Sequence, residues 1–332
     1  MTRATAATRG KIGWILSDGK TGNDVQTRGV FEALGLAIVV KPVRPSGLHK
    51  GLSPWIGVAA RERFGETGSV FAPPWPDFAI SIGRLTTPYN QELKRRAGAG
   101  VFTIIMQNPK VPLKTADLFW VPVHDRLRGP NVITSLTAPH SFTERRLAAL
   151  RATMPPQIAA LPCPRVAVML GGSNGDYTYT PAALDRLAGV LRTLGATGAG
   201  LMITPSRRTE PGIVETVKLA TEGAQRLIWD MTGDNPYPQF LAHADAFIAA
   251  ADSVNLTGEP CATGKPVYVF YPDGGSEKFR RFHAALERHG ATRPLTPAFT
   301  SLESWTYTPL NSAESIAEDI AARWLKRGTD RR

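Results

Sequence analysis

Short apolar runs rich in Val, Ile and Phe alternate with helix-like stretches along the whole chain of 332 residues. This alternation is typical of β-α-β units, in which parallel strands form a central sheet and helices cover its faces. A chain of this length is expected to form about two domains, each large enough to bury its own core. The predicted fold class is therefore α/β, with two similar domains.

The apolar runs fall into two series. Strands of the first series are predicted at residues 11–16, 37–41, 78–82, 101–106, 118–123 and 132–135, and those of the second at residues 165–170, 200–204, 226–231, 246–250 and 266–271. Between the two series, four prolines interrupt the pattern within residues 147–164 and predict a linker. The predicted domains are residues 1–150, the basic N-terminal domain, and residues 165–312, the C-terminal domain.

A helix is predicted to close the chain. Residues 313–326 carry an apolar stripe at helical spacing, formed by Ile316, Ile320, Ala321 and Trp324. Because such a stripe must be covered, we expect this helix to pack on one of the two domains. Residues 313–332 are predicted to form this closing helix and a short tail.

The net charge of +11 is concentrated in the first half of the chain. Residues 1–150 hold 20 Lys and Arg against 10 Asp and Glu, whereas the remaining residues carry a net charge of only +1. A basic domain predicts an anionic partner, such as phospholipid headgroups, a phosphorylated substrate or nucleic acid. No RNA- or DNA-binding module is recognisable, so we expect no nucleic-acid partner.

One basic segment also carries aromatic and aliphatic side chains. Within residues 41–64, Trp55, Ile56 and Phe64 are interleaved with five Lys and Arg residues. This composition is compatible with binding to an anionic membrane surface. A solvated loop and helix whose Trp packs inward is the alternative.

Cysteine usage and the N-terminal sequence indicate a cytoplasmic protein. Cys163 and Cys261 lie far apart with no CxxC spacing, so neither a disulfide framework nor a zinc site is expected. The basic start of the chain has too short an apolar run for a signal peptide, and no stretch of eighteen apolar residues follows. The predicted location is the cytoplasm, with peripheral binding to the inner face of the cell membrane as an extension.

A glycine-containing turn follows the first predicted strand. Residues 19–21 are similar to the end of a Walker loop, but Trp14 occupies the position where that motif needs glycine, which excludes a P-loop. Gly19 and Gly22 remain candidates for binding a ligand at the carboxyl edge of a parallel sheet. A tight turn capped by Asn23 or Asp24 is the alternative.

A second glycine turn, Leu-Gly-Gly-Ser-Asn-Gly-Asp, follows the first strand of the second series. Its spacing does not match GxGxxG, so a dinucleotide fingerprint is not supported. Gly172, Ser173 and Asn174 are candidates for placing backbone N–H groups against a phosphate.

Two adjacent arginines, Arg207 and Arg208, follow the next predicted strand. Their guanidinium groups suit diphosphate oxygens, and the position after a buried strand favours a binding role over a solvated surface pair.

The most specific motif lies at residues 250–270. Ser253 is predicted to begin a helix whose N–H groups face a phosphate, and Glu259 is predicted to accept hydrogen bonds from sugar hydroxyls. The motif resembles the donor-nucleotide site of GT-B glycosyltransferases, where a Ser and a Glu precede a G-x-P turn and a strand. The resemblance implies that Ser253 or Asn255 binds the donor diphosphate and Glu259 the ribose, with Lys265 in the turn.

The resemblance then extends along nearly the whole chain. The segments that carry it are SDGKTGNDVQTRGV, ISIGRLTTP, QNPKVPL with VPVHD, MLGGSNGDY, ITPSRRT and ADSVNLTGEPCATGKPVYVF. Together they resemble the mitochondrial fission family named for the plant elongated-mitochondria protein. Bacterial members of that family resemble GT-B glycosyltransferases, which implies two Rossmann-like domains with a cleft between them. In plants the family name implies an adaptor role that recruits a dynamin-related protein.

Candidate catalytic residues lie in the first domain. A GT-B enzyme needs no metal-binding carboxylates, because a helix dipole and basic side chains stabilise the leaving diphosphate, so only a base must be found. Asp18, His124, Asp125 and His140 all follow predicted strands. Histidine has a suitable pKa range but is often structural after a strand, whereas Asp18 gains from its glycine-flanked loop. Asp18, His124 and His140 are the predicted catalytic residues.

These observations predict a glycosyltransferase that takes a sugar from a nucleotide sugar held by the second domain. The basic first domain would hold an envelope or lipid-linked acceptor. We expect no metal and no cofactor, with the nucleotide sugar as co-substrate. Two alternatives remain open: a nucleotide-sugar epimerase of the same fold, and a non-enzymatic adaptor.

Overall fold

The computed structural model describes residues 3–329, which divide into two compact units. Of these, residues 3–141 and 311–329 form unit 1, and Phe142–Leu310 form unit 2. The predicted domains, by comparison, are residues 1–150 and 165–312, followed by the closing helix and tail at residues 313–332. Residues 1, 2 and 330–332, which the predicted domains include, lie outside the described residues.

The elements of unit 1 up to its boundary are α1 (Arg3–Ala6), β1 (Ile12–Ser17), α2 (Thr21–Ala33), β2 (Ala37–Pro42), α3 (Gly47–Gly51), β3 (Phe78–Ile82), α4 (Thr87–Ala97), β4 (Phe102–Met106), β5 (Leu118–Pro122) and β6 (Val132–Ser135). Unit 2 contains α5 (Glu144–Arg151), α6 (Pro156–Ala159), β7 (Arg165–Met169), β8 (Tyr177–Thr178), α7 (Pro181–Ala196), β9 (Gly200–Thr204), α8 (Pro211–Ala220), β10 (Arg226–Ile228), α9 (Tyr237–His243), β11 (Ala246–Ala250), α10 (Val254–Gly258), β12 (Val267–Phe270), β13 (Asp273–Gly274), α11 (Glu277–Arg288) and β14 (Thr292–Pro294). The chain then returns to unit 1 with α12 (Ser312–Thr329).

Unit 1 is built on a parallel sheet with the strand order β2-β1-β3-β4-β5-β6. In register, Trp14 of β1 pairs with Val39 of β2 on one side and with Ala79 of β3 on the other. The strand order reverses at β1, so the loops that follow β1 and β3 meet at the carboxyl edge. This topological switch point is where open α/β sheets bind ligands.

The C-terminal helix belongs to the core of unit 1. Ile316, Ile320 and Ala321 of α12 are buried together with side chains of α2 and the sheet. The ring of Trp324 lies 5.4 Å from that of Phe78, measured between centroids. The apolar stripe predicted at residues 313–326 therefore packs as expected, and the helix closes the unit in which the chain begins.

Unit 2 is built on a second parallel sheet, with the order β10-β9-β7-β11-β12-β14. Counted within the unit, this order is 3-2-1-4-5-6, the order of Rossmann folds, with its switch point between β7 and β11. Val168 of β7 pairs with Ile203 of β9 and with Ile248 of β11. Both units are thus Rossmann-like, and the predicted α/β class of two such domains with a C-terminal helix is confirmed.

All eleven predicted strands are present, with differences at their ends. The largest is in β10, which ends at Ile228, three residues earlier than predicted. Strand β14 is an addition that sequence periodicity did not predict, because it is only three residues long and ends in proline. The segment at residues 147–164, predicted as a linker, instead folds into unit 2, where Ile158 and Leu161 are buried.

The basic segment at residues 41–64 is only partly exposed. Trp55 is 70% exposed and Ile56 is half-buried, but Phe64 is buried and stacks on Phe71 with 4.9 Å between ring centroids. The expected membrane-facing role of Phe64 is therefore wrong, since its ring belongs to the core of unit 1. Within residues 3–329, no helix has the length and apolar character required to span a bilayer.

Candidate functional site

The loops that follow β9, β10 and β11 line a cavity of about 660 Å³ at the carboxyl edge of the unit 2 sheet. Five of the predicted substrate-binding residues line it: Arg207, Arg208, Ser253, Asn255 and Glu259. They come from two loops far apart in sequence, which the parallel sheet brings to the same edge. The cavity is hereafter called the unit 2 cavity.

Arg208 is held in place by a buried carboxylate. Its Nη2 donates to Oδ2 of Asp252 at 2.9 Å, and the Asp252 side chain has no exposed surface. Tyr179 donates its hydroxyl to Oδ1 of Asp252 at 3.1 Å, and the N–H of Gly172 donates to Oδ2 at 3.3 Å. Burial raises the pKa of Asp252, and these hydrogen bonds with the charge of Arg208 oppose that rise.

The glycine pair after β7 allows this network to form. A Cβ atom on Gly171 would lie 1.8 Å from Oδ1 of Asp252, and one on Gly172 would lie 1.8 Å from the carbonyl oxygen of Arg208. Any side chain at either position would displace the carboxylate or the arginine-bearing loop. The two glycines are therefore required for the close approach of three loops at the switch point.

Glu259 is a second polar group of the cavity, and its side chain is half-buried. The hydroxyl of Tyr237 donates to Oε2 of Glu259. Burial raises the pKa of Glu259 to about 7, although the Tyr237 hydrogen bond and the charge of Arg146 act in the opposite direction. Burial and the neighbouring carboxylate raise the pKa of the Tyr237 hydroxyl well above its ordinary value, so tyrosine remains the proton donor.

Aromatic and apolar side chains line another part of the unit 2 cavity. Trp229 and Met231 follow β10, and Asn235 precedes α9. The indole N–H of Trp229 is already donated to the carbonyl of Thr232 at 2.8 Å, which fixes the ring. A flat ring beside two arginines and a carboxylate offers a stacking surface for a nucleobase.

Ser253 caps the short helix α10, because its Oγ accepts from the N–H of Leu256 at 3.4 Å. Its hydroxyl is thus used in part by the fold. Asn255 lies in the first turn of the same helix and lines the cavity with its neighbour Leu256.

The predicted phosphate-binding turn after β7 is largely occupied by the protein itself. The N–H of Ser173 donates to Oε1 of Glu210 at 3.0 Å, and Nδ2 of Asn174 donates to the carbonyl of Asp252 at 3.0 Å. The N–H of Gly172 is bound to Asp252, as described above. The unit 2 cavity is not lined by Gly172, Ser173 or Asn174. Their hydrogen bonds to Asp252 and Glu210 instead fix the loops that surround the cavity.

Lys265 lies apart from the other predicted residues. It precedes β12, so it lies at the amino edge of the sheet, where it lines a separate cavity with Asp245 and Trp305. The unit 2 cavity lies at the carboxyl edge. The structure therefore does not bring Lys265 to the predicted donor site, because a residue before a strand and a residue after it lie at opposite edges of a parallel sheet.

Asp18 lines a cavity of about 570 Å³ at the switch point of unit 1. Lys20 Nζ lies 2.6 Å from Oδ2 of Asp18, and Asn23 donates Nδ2 to Oδ1 at 3.2 Å. Burial acts to raise the pKa of Asp18, but the hydrogen bonds from Lys20 and Asn23 outweigh it and hold the pKa below its ordinary value. Asp18 is thus an ionised carboxylate at neutral pH.

The other predicted site residues of unit 1 are two glycines and two histidines, and their contacts are with the fold itself. Gly19 donates its N–H to Ser17 Oγ at 3.0 Å, and Gly22 lies in the first turn of α2. His124 and His140 are both buried, and the backbone of His140 lies against Gly29 of α2. Neither histidine lines the cavity that contains Asp18. The catalytic assignment of the three residues stays a prediction.

Across the part of the chain that the structure describes, no group of three or more His, Cys, Asp or Glu side chains is arranged to hold a metal ion. Positive charge in the unit 2 cavity comes from Arg207 and Arg208.

Sequence reasoning did not identify Asp252, Trp229 or Tyr237. Asp252 lies two residues after the end of β11 and Trp229 directly follows β10, so their positions after strands carried a usable signal. Tyr237 has no such signal, because it reaches Glu259 from the start of α9 through a contact between residues 22 positions apart.

Comparison with known proteins places the chain in a family. Residues 21–324 match the family model described as "Mitochondrial fission ELM1", so the chain belongs to that family. It is 30% identical over 276 residues to the mitochondrial fission protein ELM1 of Arabidopsis thaliana, covering 75% of this chain and 65% of the relative. It is also 33% identical over 160 residues to an uncharacterized protein of Rickettsia prowazekii, covering 46% of this chain and 45% of the relative. The match thus spans less than two thirds of either relative.

Solved structures show the same fold at low sequence identity. The UDP-GlcNAc 2-epimerase of Methanocaldococcus jannaschii, in complex with UDP-GlcNAc and UDP, matches 95% of this chain and 99% of its own, with 12% identity and a TM-score of 0.53. The chain therefore has the GT-B-like fold.

Proposed function

We propose that this protein is a GT-B-type glycosyltransferase that binds a nucleotide sugar in the unit 2 cavity. The observation that carries the proposal is the convergence of Arg207, Arg208 and Glu259 on one cavity from the ends of two strands. The proposed acceptor is an envelope or lipid-linked molecule, and the proposed location is the cytoplasm and the inner face of the cell membrane.

Each part of a nucleotide diphosphate has a matching group in the cavity. The guanidinium groups of Arg207 and Arg208 supply charge-assisted hydrogen bonds for the diphosphate. The carboxylate of Glu259 is an acceptor for the ribose hydroxyls, and Trp229 offers its ring to the base. The cavity volume of about 660 Å³ lies in the range of small-molecule sites.

In the proposed reaction the protein forms no covalent bond with the sugar. An acceptor oxygen forms a bond to the anomeric carbon of the sugar while the bond from that carbon to the diphosphate oxygen breaks. The proton of the acceptor hydroxyl passes to Asp18, our candidate base, and the nucleoside diphosphate leaves with the electron pair. Arg207 and Arg208 stabilise the negative charge that develops on it, which is the role that a metal ion fills in other enzymes.

The family relationship supports a different candidate. The Arabidopsis relative is named for mitochondrial fission, which favours an adaptor that does not transform a sugar. The two functions differ in what they require of the unit 2 cavity. An adaptor tolerates loss of its arginines, and an epimerase uses them but returns a free or altered sugar without an acceptor.

The test is a calorimetric titration of the full chain with UDP, other nucleoside diphosphates, UDP-GlcNAc and uridine. We expect saturable binding of a nucleoside diphosphate, weakened by about tenfold or more in Arg207→Gln/Arg208→Gln, with less change for the bare nucleoside. Arg192→Gln, an exposed arginine on α7, is the matched control for loss of positive charge.

Product analysis completes the test. Incubation with the nucleotide sugar that binds, with and without a membrane extract, is followed by chromatography of the sugar. Transfer to extract lipid or polymer supports the proposal, and release of an altered sugar without acceptor supports an epimerase. If a folded chain binds none of the nucleotides, the donor assignment is rejected and the adaptor reading is favoured.

A further inference from the structure

Unit 1 contains a cavity of about 570 Å³, and none of its lining residues lines the unit 2 cavity. It is lined by the loops that follow β1, β3 and β4 and by Lys50 of α3. Because β1 and β3 flank the point where the strand order of this sheet reverses, the cavity lies where ligands of open α/β sheets bind.

Positive charge exceeds negative charge at this cavity. Its charged lining residues are Lys20, Lys50 and Arg84 against one carboxylate, Asp18. Asp18 is neutralised by Lys20, whose Nζ lies 2.6 Å from it. Within residues 3–329, the Lys50 ammonium and the Arg84 guanidinium have no carboxylate partner. The cavity therefore has two cations in excess, which matches the charge of a phosphate monoester.

Arg84 is oriented before any ligand binds. Its Nη1 donates to the carbonyls of Lys50, Gly51 and Ser53 at 3.1–3.3 Å. Ser53 in turn donates its hydroxyl to the carbonyl of Arg84 at 2.5 Å. These bonds engage only one of the guanidinium nitrogens, so Nε and Nη2 keep donors that have no acceptor in the described part of the chain. A preorganised guanidinium loses less entropy on binding an oxyanion.

The first turn of α2 adds to the same field. Lys20 and Asn23, at the start of this 13-residue helix, both line the cavity. No side chain caps the helix, so its N-terminal N–H groups contribute partial positive charge, which the Asp24 carboxylate in the same turn opposes.

We infer that the unit 1 cavity binds the phosphate group of a phosphorylated compound through Lys50 and Arg84. Assigning that compound as the sugar acceptor rests on the proposed function, whereas phosphate binding itself does not. The phosphate comes from a soluble phosphoester or from a lipid headgroup, and the three exposed apolar side chains Leu48, Leu52 and Trp55, close to Lys50 in sequence, suit the second source.

The test is equilibrium dialysis of the full chain against radiolabelled inorganic phosphate. The Arg207→Gln/Arg208→Gln background is used so that the unit 2 cavity does not contribute. We expect saturable binding that falls by about tenfold or more in Lys50→Gln and in Arg84→Gln. Lys114→Gln, which removes an exposed cation of the same unit outside the cavity, should retain it. Because Arg84 also holds a loop, Lys50→Gln is the variant that tests binding without disturbing the fold.

Vesicles distinguish the two sources of phosphate. Lipid phosphate is indicated if the chain binds phosphatidylcholine vesicles only when they contain phosphatidic acid and Lys50→Gln reduces that binding. A soluble source is indicated if only inorganic phosphate requires Lys50. Absence of saturable phosphate binding, or binding that is unchanged in both variants, overturns the inference. Loss of nucleoside diphosphate binding with phosphate binding intact would instead contradict the proposed function alone.

Discussion

Arg208 donates through Nη2 to the buried carboxylate of Asp252 at 2.9 Å, so a cavity-lining cation is held by a carboxylate with no exposed surface. Asp252→Asn should disturb both the fold and the site, because an amide nitrogen replaces one of the two accepting oxygens, so that either Tyr179 or the pair Gly172 and Arg208 loses its acceptor. We expect a loss of about 1–3 kcal/mol in the free energy of unfolding, measured by urea denaturation, since a buried donor is left without an acceptor.

The same substitution should weaken nucleoside diphosphate binding more than nucleoside binding. The guanidinium of Arg208 loses its fixed orientation, whereas Trp229, the ring proposed to stack on the base, is unchanged. Calorimetry with UDP and uridine measures the difference, and Asp185→Asn, an exposed carboxylate on α7, is the control. Equal losses for both ligands would contradict a positioning role for Asp252.

The raised pKa of Glu259 leads us to expect that donor binding depends on pH. Its pKa is raised to about 7 by burial, from an ordinary value near 4.5. If the carboxylate accepts from ribose hydroxyls, binding favours the ionised form, so nucleotide affinity should increase as pH rises through about 7 and binding below that pH should release a proton. Calorimetry in buffers of different ionisation enthalpy measures that proton.

Two variants check the assignment. Glu259→Ala should weaken binding by about 1–3 kcal/mol and remove the pH dependence. Tyr237→Phe removes a hydrogen bond that lowers the pKa of Glu259, so the midpoint should move to higher pH. Unchanged binding by a folded Glu259→Ala variant would show that the ribose role is wrong.

Ionisation of Glu259 favours nucleotide binding but lowers the stability of the protein without a ligand. A carboxyl group whose pKa is raised on folding contributes stability that is fully present below about 4.5 and is lost as pH rises through about 7. The unfolding free energy of the native chain should therefore fall relative to that of Glu259→Gln as pH rises across that range, because the variant has no carboxyl group to ionise. Urea denaturation at a series of pH values measures it.

Sequence alone located the strands well, because strands of a parallel sheet covered on both faces are continuous apolar runs. All five residues of β9 and of β11 are buried, and both strands were predicted with their observed bounds. The position after a buried strand favoured a binding role for Arg207 and Arg208, and resemblance to the GT-B donor site assigned Glu259 to the ribose.

The parts that sequence did not reveal depend on contacts between distant residues. Asp252 contacts Arg208 across 44 positions, and its place after a strand marks it as a candidate without showing which residue it binds. The glycine turn after β7 was predicted to face a phosphate, but its N–H groups are bound by Asp252 and Glu210, whose positions only the folded chain shows.

Asp18 is the candidate base, and a substitution that removes its negative charge tests that role. Asp18→Asn is nearly isosteric and should abolish sugar transfer, while nucleotide binding in unit 2 stays close to native. Transfer and calorimetry are measured on the same preparation. If Asp18→Asn retains activity while His124→Ala or His140→Ala loses it without unfolding, the base is that histidine. Because both histidines are buried, circular dichroism must accompany those variants.

Membrane association is the last prediction, and it combines the charge of the first half of the chain with the exposed segment around Trp55. Residues 1–150 carry a net charge of +10, and each Lys or Arg near an anionic bilayer contributes about 1 kcal/mol. Trp55 is 70% exposed and Leu48 is 75% exposed, which leaves both available to the interfacial region of a bilayer. We expect reversible binding to anionic vesicles that salt releases, measured by co-sedimentation across a salt series. Trp55→Ser/Ile56→Ser should weaken binding, whereas Leu219→Ser, an exposed leucine of unit 2, should not. Equal sedimentation with neutral and anionic vesicles, or none with either at low salt, would rule out the membrane and leave the basic half to a soluble phosphorylated acceptor.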